Sequence, residues 1–390
     1  MNRFIGRQLL LSVMLMLSLT ICGCSSKGSA DLEPAAQEAS VSEAESVTET
    51  KTNSDDPFSL KGEESDDDTD ILDTSDENDD GVTMIFTGDI YPDDSVRAAY
   101  DAGGIDSIVS SDIQSVMKNA DITMINEEFP FGTTGSPAKN KQYTFRVNPS
   151  YISIFNELGV DVVTLANNHT LDYGASALEE TFSLLDANGI VYSGAGKTYE
   201  RSKELQKITV NGIKIGILSA SRVIPVAAWD SKNTEDGVFT TYDETALCSA
   251  IEEAKKECDY VMVYVHWGVE KATTPEQYER DLATKYVAAG ADIVIGSHPH
   301  VLQGMEFIDG APVYYSLGNF IFHSTTTSTM LVQVNIDKNG LSTKIIPAYA
   351  SNAYLQLMSS ESSVELYKKL ESLSYNVTID GKGRVGAVSH

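Results

Sequence analysis

The chain has 390 residues, 42% of them hydrophobic, and a formal net charge of −29 at pH 7. This length can bury a large core, while the strong acidity argues against nucleic-acid binding, which requires a basic surface. Beyond the N-terminal region the only cysteines are Cys248 and Cys258, ten residues apart. That spacing is about 15 Å at helical rise, so we expect neither a disulfide nor a cysteine-bound metal.

Residues 1–24 have the pattern of a bacterial lipoprotein signal peptide. Two arginines precede a thirteen-residue apolar run, which is shorter than the roughly 20 residues of a membrane-spanning helix but suits a secretory signal. Ile21-Cys22-Gly23-Cys24 then resembles a lipobox with Cys24 as the lipidated residue. Diacylglycerol on Cys24 would hold the protein on the outer face of the cytoplasmic membrane. The alternative is an ordinary cleaved signal peptide with an incidental cysteine.

Residues 25–80 form a strongly acidic segment with 19 acidic and 3 basic side chains, a net charge of −16. Large apolar residues are rare in it, so it cannot bury enough surface to offset the entropy of ordering. We predict an extended, disordered tether there. The folded domain is predicted at residues 81–350, and residues 351–390 are interpreted as a C-terminal extension of the same domain.

Strand-like and helix-like segments alternate along the folded part. Short apolar runs predict buried strands at 82–86, 122–125, 160–165, 261–265 and 293–295. Amphipathic patterns predict helices at 105–119, 149–158, 175–188, 243–257 and 275–289. Asn-Gly or Asp-Gly pairs at 211–212, 309–310 and 339–340 indicate hairpins. The mixture favours a layered α/β domain with a partly antiparallel sheet.

Polar residues follow five of the predicted strands where each strand ends. They are Asp89, Glu128, Asn168 with His169, His266, and His298 with His300. Oxygen and imidazole ligands together suit Mn, Zn or Fe, and the absence of nearby thiols disfavours a purely structural zinc site. A carboxylate that bridges two such ions would support a metal hydroxide able to attack an ester or phosphoryl group.

Six motifs along residues 82–322 together resemble one known family. They are Gly88-Asp89, Asn126-Glu127-Glu128, Leu165 to His169 with Asp172-Tyr173-Gly174, His266-Trp267-Gly268, Gly296 to His300, and Tyr315 to Phe320. In this order they look like the CapA family of poly-gamma-glutamate capsule biosynthesis proteins. That family is similar to calcineurin-like metallophosphatases, so the resemblance implies a four-layer α/β/β/α sandwich with mixed sheets and a site for two divalent ions.

The resemblance also implies a role for each strand-end residue. One ion would be held by Asp89, Glu128 and His300, and the other by Glu128, Asn168, His266 and His298, with Glu128 as the bridge. His169 would be the acid that protonates a leaving group or steadies developing charge. Asp172 would either accept a hydrogen bond from His169 or cap the following helix.

Two positions depart from the metallophosphatase pattern. Tyr91 stands where that pattern has a histidine, and Glu128 stands where it usually has aspartate. We therefore expect the first ion to bind more weakly, or a single ion to bind. Two further residues are assigned to substrate binding: Arg146 would clamp a carboxylate or phosphate, or else form a surface ion pair, and Asn319 would line the pocket, or else end a strand.

Two functions are compatible with these residues. One is a lipid-anchored extracytoplasmic protein that takes part in synthesis, export or attachment of poly-gamma-glutamate or a related anionic capsule polymer, within a polymer-synthesis membrane complex. The other is a secreted dinuclear-metal-dependent hydrolase of the phosphoesterase type that acts on a cell-envelope ester. Residues 81–390 carry a net charge of −15, so an anionic polymer would have to bind through the metal ions and Arg146.

Overall fold

A computed structural model describes residues 81–323 and 325–388. The predicted signal peptide, the lipidation site Cys24, the acidic tether and His390 lie outside the described residues. Within the described ranges, no helix combines the length and the apolar character that crossing a membrane requires.

Eighteen strands and eight α-helices are assigned in the described residues. The strands are β1 (Val82–Ile90), β2 (Ile122–Glu127), β3 (Val162–Thr164), β4 (Val191–Ser193), β5 (Ala195–Gly196), β6 (Gln206–Val210), β7 (Ile213–Ser221), β8 (Gly237–Val238), β9 (Tyr260–His266), β10 (Ile293–Ser297), β11 (Met305–Ile308), β12 (Ala311–Tyr314), β13 (Asn319–Ile321), β14 (Thr327–Asp337), β15 (Gly340–Ser351), β16 (Tyr354–Leu357), β17 (Val377–Ile379) and β18 (Arg384–Ala387). The helices are α1 (Asp94–Gly103), α2 (Ser111–Lys118), α3 (Ile152–Leu158), α4 (Gly174–Asn188), α5 (Tyr199–Ser202), α6 (Thr245–Glu257), α7 (Gln277–Ala289) and α8 (Ser360–Leu373).

Two mixed sheets form the centre of the domain. The ten-stranded sheet has the order β17-β18-β15-β14-β1-β2-β3-β4, with β13 paired to β1 and β16 paired to β15. The six-stranded sheet has the order β11-β12-β10-β9-β7-β6. Strands β1 to β4 are parallel to one another, as are β7, β9, β10 and β12. The carboxyl ends of each parallel set therefore meet at one edge of its sheet.

The apolar residues divide into three clusters that define four layers. Met84 and Phe86 of β1 pack with Met262 and Tyr264 of β9 between the two sheets. Alternate residues of β1 face the other way, so Ile85 packs in the cluster under helices α1 to α4. A third cluster fills the space between the six-stranded sheet and helices α6 and α7. The predicted four-layer α/β/β/α sandwich with mixed sheets is thus confirmed.

The predicted strands and hairpins are present, and one predicted helix is wrong in extent. The hairpin turns lie between β6 and β7, β11 and β12, and β14 and β15. The predicted helix at 105–119 is instead a 3₁₀ turn, Ile105–Ser107, followed by α2. Between them the Ser110 amide donates to the Leu355 carbonyl at 2.9 Å, and the Leu355 amide donates to the Ile108 carbonyl at 2.8 Å. Pairing with a distant strand therefore interrupts the helix.

Candidate metal centre

The strand-end residues converge at the carboxyl edges of the two sheets. Asp89 lies in β1, Glu128 directly follows β2, and His266 ends β9. All the proposed ligands are at least 91% buried, and Asp89, Glu128 and His266 are completely buried. Gly88 lets strand β1 pass close to the Gly318 carbonyl oxygen, because a Cβ at position 88 would lie only 1.8 Å from that oxygen. The Asp89 amide donates to that carbonyl at 3.0 Å, which holds β1 against the segment that leads into β13.

The side chains form two ligand groups that share Glu128. We call Asp89, Glu128 and His300 the Asp89 half, and Glu128, Asn168, His266 and His298 the His266 half. The possible ligand atoms of Asp89, Glu128 and His300 lie within 4.8 Å of one another, as do those of Glu128, His266 and His298. The sharing of Glu128 matches the predicted bridging position.

The distances within the His266 half lie on either side of those expected around a common ion. His266 Nε2 lies 2.9 Å from Asn168 Oδ1 and 3.6 Å from Glu128 Oε1. Two ligand atoms that are each about 2.1 Å from one ion would be separated by about 3.0 to 3.4 Å, depending on the coordination geometry. On the other side of the bridge, His300 Nε2 lies 3.8 Å from Glu128 Oε1.

Unpartnered buried atoms provide a test of whether a cation fits here. In the described part of the chain, the buried atoms without a hydrogen-bond partner include both carboxylate oxygens of Glu128 and Nδ1 of His298, and also both oxygens of Glu127, which lies outside the two ligand groups. Buried polar atoms are otherwise nearly always partnered, and burial raises the pKa of Glu128 well above its usual value. A divalent cation would satisfy the atoms of Glu128 and His298 and favour the carboxylate form, so the residues present fit a metal ion.

The two halves differ in protonation. Burial lowers the pKa of His298 to about 3 and that of His266 well below its usual value, so both imidazoles are neutral, as metal ligands must be. Burial alone would also lower the pKa of His300, but the carboxylates of Glu128 and Asp89 raise it to about 9. Burial opposes ionisation of Asp89 as well, yet its hydrogen bond and charge interaction with His300 lower the pKa of Asp89 overall.

Neighbouring polar side chains fix the orientation of the imidazoles. Ser297 Oγ lies 3.0 Å from His266 Nδ1, which leaves Nε2 facing Glu128 and Asn168. Asn319 Oδ1 lies 2.8 Å from His300 Nδ1. Such outer partners set the ring orientation and basicity of metal-binding histidines. Asn319, predicted to line the pocket, is buried and in contact with His300, which suggests a supporting role for it.

Two of the proposed ligand histidines have strained backbone conformations. His298 has φ of 102° and His300 has φ of 57°, with Pro299 between them. Positive φ is uncommon for residues other than glycine, and each such residue costs on the order of 1–3 kcal/mol. Strain of this kind persists where the surrounding structure imposes it, which is typical of ligand-holding segments.

His169 lies beside the metal centre with Asp172 as its partner. Its Nδ1 is 2.6 Å from Asp172 Oδ2, and the Phe145 amide donates to the same oxygen at 2.6 Å. Helix α4 begins at Gly174 without a side-chain cap. Of the two predicted roles of Asp172, the structure therefore favours the interaction with His169 over helix capping.

Lys141 is a residue of this region that the sequence analysis missed. Its ammonium group donates to the Asn168 carbonyl at 2.6 Å, pairs with Asp172, and lies 3.0 Å from His169 Nδ1. Burial lowers the pKa of Lys141, although the adjacent Asp172 opposes that effect. Lys141 lies outside the regular elements, where no periodic pattern could have placed it. Its only sequence signal was its closeness to the aromatic run that contains Phe145.

Tyr91 and Arg146 lie near this region in different settings. The ring of Tyr91 stacks on Phe145 at 3.9 Å between centroids, and Phe145 stacks on His169 at 3.9 Å. The guanidinium of Arg146 donates to the Thr134 carbonyl at 2.9 Å and lies 4.0 Å from the ring centroid of Tyr173. These contacts do not test the prediction that Arg146 binds a carboxylate or phosphate of the substrate.

Comparison with known proteins identifies related sequences over the same region. Residues 83–324 match the family model described as bacterial capsule synthesis protein PGA_cap. The PGA biosynthesis protein CapA of Bacillus subtilis is 33% identical over 270 residues, covering 67% of this chain and 70% of that protein. The capsule biosynthesis protein CapA of Bacillus anthracis is 30% identical over 267 residues, covering 66% of this chain and 65% of that protein. The chain thus matches about two thirds of the length of these relatives. Among solved structures, the sulfate thiohydrolase SoxB of Thermus thermophilus has a TM-score of 0.38 at 14% identity, covering 64% of this chain and 42% of that one.

Proposed function

Because the chain belongs to the bacterial capsule synthesis protein PGA_cap family, we propose that it takes part in making, exporting or attaching poly-gamma-glutamate or a related anionic capsule polymer. The observation that carries the proposal is the extent of the family match. Residues 83–324 include all six proposed metal ligands, from Asp89 to His300. The residues of the candidate metal centre therefore lie within the region that this chain shares with its capsule-synthesis relatives.

We further propose that the centre holds two divalent ions, Mn, Zn or Fe. Asp89, Glu128 and His300 would hold one ion, and Glu128, Asn168, His266 and His298 the other. Bound ions would supply Lewis acidity and positive charge. In an acidic domain, that charge would give the carboxylates of a polymer a place to bind.

Attachment to the outer face of the cell membrane through lipid on Cys24 completes the proposal. The acidic segment at 25–80 would then keep the folded domain away from the membrane, within reach of a membrane complex that makes the polymer. Labelled fatty acid should enter the wild-type protein and not the Cys24→Ala variant. Equal labelling of the two proteins would remove the lipid anchor from the proposal.

Complementation tests the polymer role directly. A Bacillus subtilis strain that makes the polymer but lacks its own CapA would receive the wild-type gene, Glu128→Gln or Glu127→Gln. Glu127 is a matched control, because it is equally buried and adjacent but lies outside both ligand groups. We expect polymer production with wild type and with Glu127→Gln, and loss of it with Glu128→Gln. Failure of the wild-type gene to restore polymer, despite normal protein levels, would contradict the proposed role.

A second candidate function is hydrolysis of a cell-envelope ester, and the setting of His169 favours it. His169 is held by Asp172 next to the ligand Asn168, as a proton donor to a leaving group requires. Metal-loaded protein would be assayed on phosphomonoesters and phosphodiesters. His169→Ala should then lower turnover at least about 100-fold, the low end for acid–base catalysis, with metal content unchanged. The absence of turnover by wild type across the panel would reject this candidate.

A further inference from the structure

A cavity of about 160 Å³ lies next to the segment that carries His266. All of its lining residues except Leu282 are polar or charged at their tips, among them Arg222, Tyr278, Asp281 and Lys285. None of them belongs to the metal centre.

Two of the lining residues are attached to the metal-binding strand end. Arg222 directly follows β7, and its amide donates to the His266 carbonyl at 2.7 Å. The Gly268 amide donates to the Tyr278 hydroxyl at 2.7 Å. The cavity is therefore positioned at the carboxyl end of parallel strands, where ligands of layered α/β proteins bind.

The guanidinium of Arg222 is held in place by aromatic rings. It lies 4.3 Å from the ring centroid of Tyr242 and 5.5 Å from that of Tyr278. Cation–π contacts orient the planar group while leaving its N–H edge able to donate. Among the described residues, Arg222 forms no salt bridge with a carboxylate.

The other charges that line the cavity have partners. Lys285 pairs with Glu244, which also lines the cavity. The Asp281 carboxylate accepts a hydrogen bond from Gln277 Nε2 at 2.9 Å and has further lone pairs. The cavity thus presents one cation that lacks a counter-ion and one carboxylate that can accept another N–H.

We infer that this cavity binds one residue of a γ-linked glutamate chain, with Arg222 on the α-carboxylate and Asp281 on the amide N–H. This inference rests on the proposed polymer role. In a γ-linked chain every internal residue has a free α-carboxylate and an amide N–H on the same α-carbon. A guanidinium forms two parallel hydrogen bonds with a carboxylate, and a nearby carboxylate accepts the N–H. A fully deprotonated anion, such as sulfate, has no N–H or O–H to donate to Asp281.

Calorimetry on the metal-loaded full chain tests the inference, with γ-linked pentaglutamate as the probe and α-linked pentaglutamate and inorganic phosphate as comparisons. Arg222→Gln should weaken binding of the γ-linked probe at least tenfold, and Arg222→Lys should restore part of it. Asp281→Ala should weaken it severalfold, whereas at a general anion site removal of that negative charge would strengthen binding. Arg384→Gln, the same change at an exposed arginine paired with Asp380, should have no effect. Circular dichroism and metal content serve as folding controls.

The outcomes separate this inference from the proposed function. Wild-type binding that Arg222→Gln does not weaken would overturn the cavity assignment and leave the polymer role intact. Phosphate or α-linked pentaglutamate binding as tightly as the γ-linked probe would overturn the assignment to γ-linked glutamate. If wild type does not bind the γ-linked probe, the cavity assignment is overturned. The polymer role falls with it only if the wild-type gene also fails in the complementation experiment.

Discussion

The two halves of the candidate metal centre share Glu128 but differ in the protons that a bound ion would have to displace. In the His266 half, burial keeps both histidines neutral, and four side chains are available. In the Asp89 half, three side chains are available and His300 is protonated in an ion pair with Asp89, with 3.3 Å between Nδ1 and Oδ2. The histidines of the His266 half are therefore already in the form that binds a cation. In the Asp89 half, a cation would first have to displace the proton on His300.

Removal of the shared carboxylate should have the largest effect, because it affects both halves. Glu128→Gln should lose both ions, with a fall in affinity beyond the roughly 10–100-fold that follows loss of an outer partner. Metal content after gel filtration, measured by plasma emission, would check this.

Glu127→Gln is the control for that experiment. Burial raises the pKa of Glu127 well above its usual value, which favours the neutral carboxyl group, and glutamine is a close mimic of that form. Metal content and the midpoint of thermal unfolding should match those of the wild type. Full metal occupancy in Glu128→Gln would show that the carboxylate does not bridge.

Single histidine substitutions should distinguish the halves. We expect two binding steps, a tighter one in the His266 half and a weaker one in the Asp89 half. His298→Ala should abolish the tighter step. His300→Ala should abolish the weaker step and leave the tighter one. Titration of metal-free protein with Mn against a competing chelator would resolve the steps. Equal loss of both steps in both variants would mean that the two halves bind as one unit.

The pH dependence of binding should sharpen the contrast further. The pKa of His300, about 9 in the metal-free protein, is raised above the ordinary value near 6.5. Its ion pair therefore stabilises the fold fully below about pH 6.5, and that stabilisation is lost as the pH rises through about 9. An ion in the Asp89 half displaces this proton, so its affinity should rise by up to about tenfold per pH unit between pH 7 and 9.

The tighter step should respond differently over this pH range. Its ion meets histidines that are already neutral, so no histidine proton is displaced, and the proton it would release is that of Glu128, whose pKa burial raises. An affinity of the weaker step that does not change between pH 7 and 9 would contradict protonation of His300.

The sequence could bring the proposed ligands together because they lie at strand ends, and strand ends can be recognised from apolar runs. Parallel pairing then brings Asp89, Glu128 and His266 together without knowledge of the loops. Lys141 and Arg222 could not be found in this way, because both lie in irregular segments that follow no period. The same limit applies to the helix predicted at 105–119, which is interrupted by pairing with Leu355, more than 200 residues away. Contacts between residues that are far apart in the sequence leave no signal in the local sequence pattern.

Removal of the side chains that orient the ligand histidines should have smaller effects on metal affinity, each confined to one half. Asn319→Ala should weaken only the Asp89 half, and Ser297→Ala only the His266 half, each by about 10–100-fold. The two substitutions are matched, since each removes one oxygen that contacts Nδ1 of one histidine. Chelator titration of the two variants in parallel would check the assignment. A loss in both halves from either substitution would indicate general loosening of the site.

Tyr91→His should have the smallest effect on metal binding. It tests whether the missing histidine explains the weaker affinity of the Asp89 half. The ring of Tyr91 stacks on Phe145, which in turn stacks on His169, so an imidazole at position 91 would lie near the candidate metal centre. The substitution also removes the phenol ring that stacks on Phe145, which offsets part of the gain. We expect the weaker step to tighten by up to about tenfold, or about 1.4 kcal/mol, with the tighter step unchanged. Tyr91→Phe is the control, because it keeps the aromatic stack and adds no ligand. If Tyr91→His and Tyr91→Phe bind Mn with equal affinity, the weaker binding of the Asp89 half would be due to the proton on His300 and not to a missing imidazole.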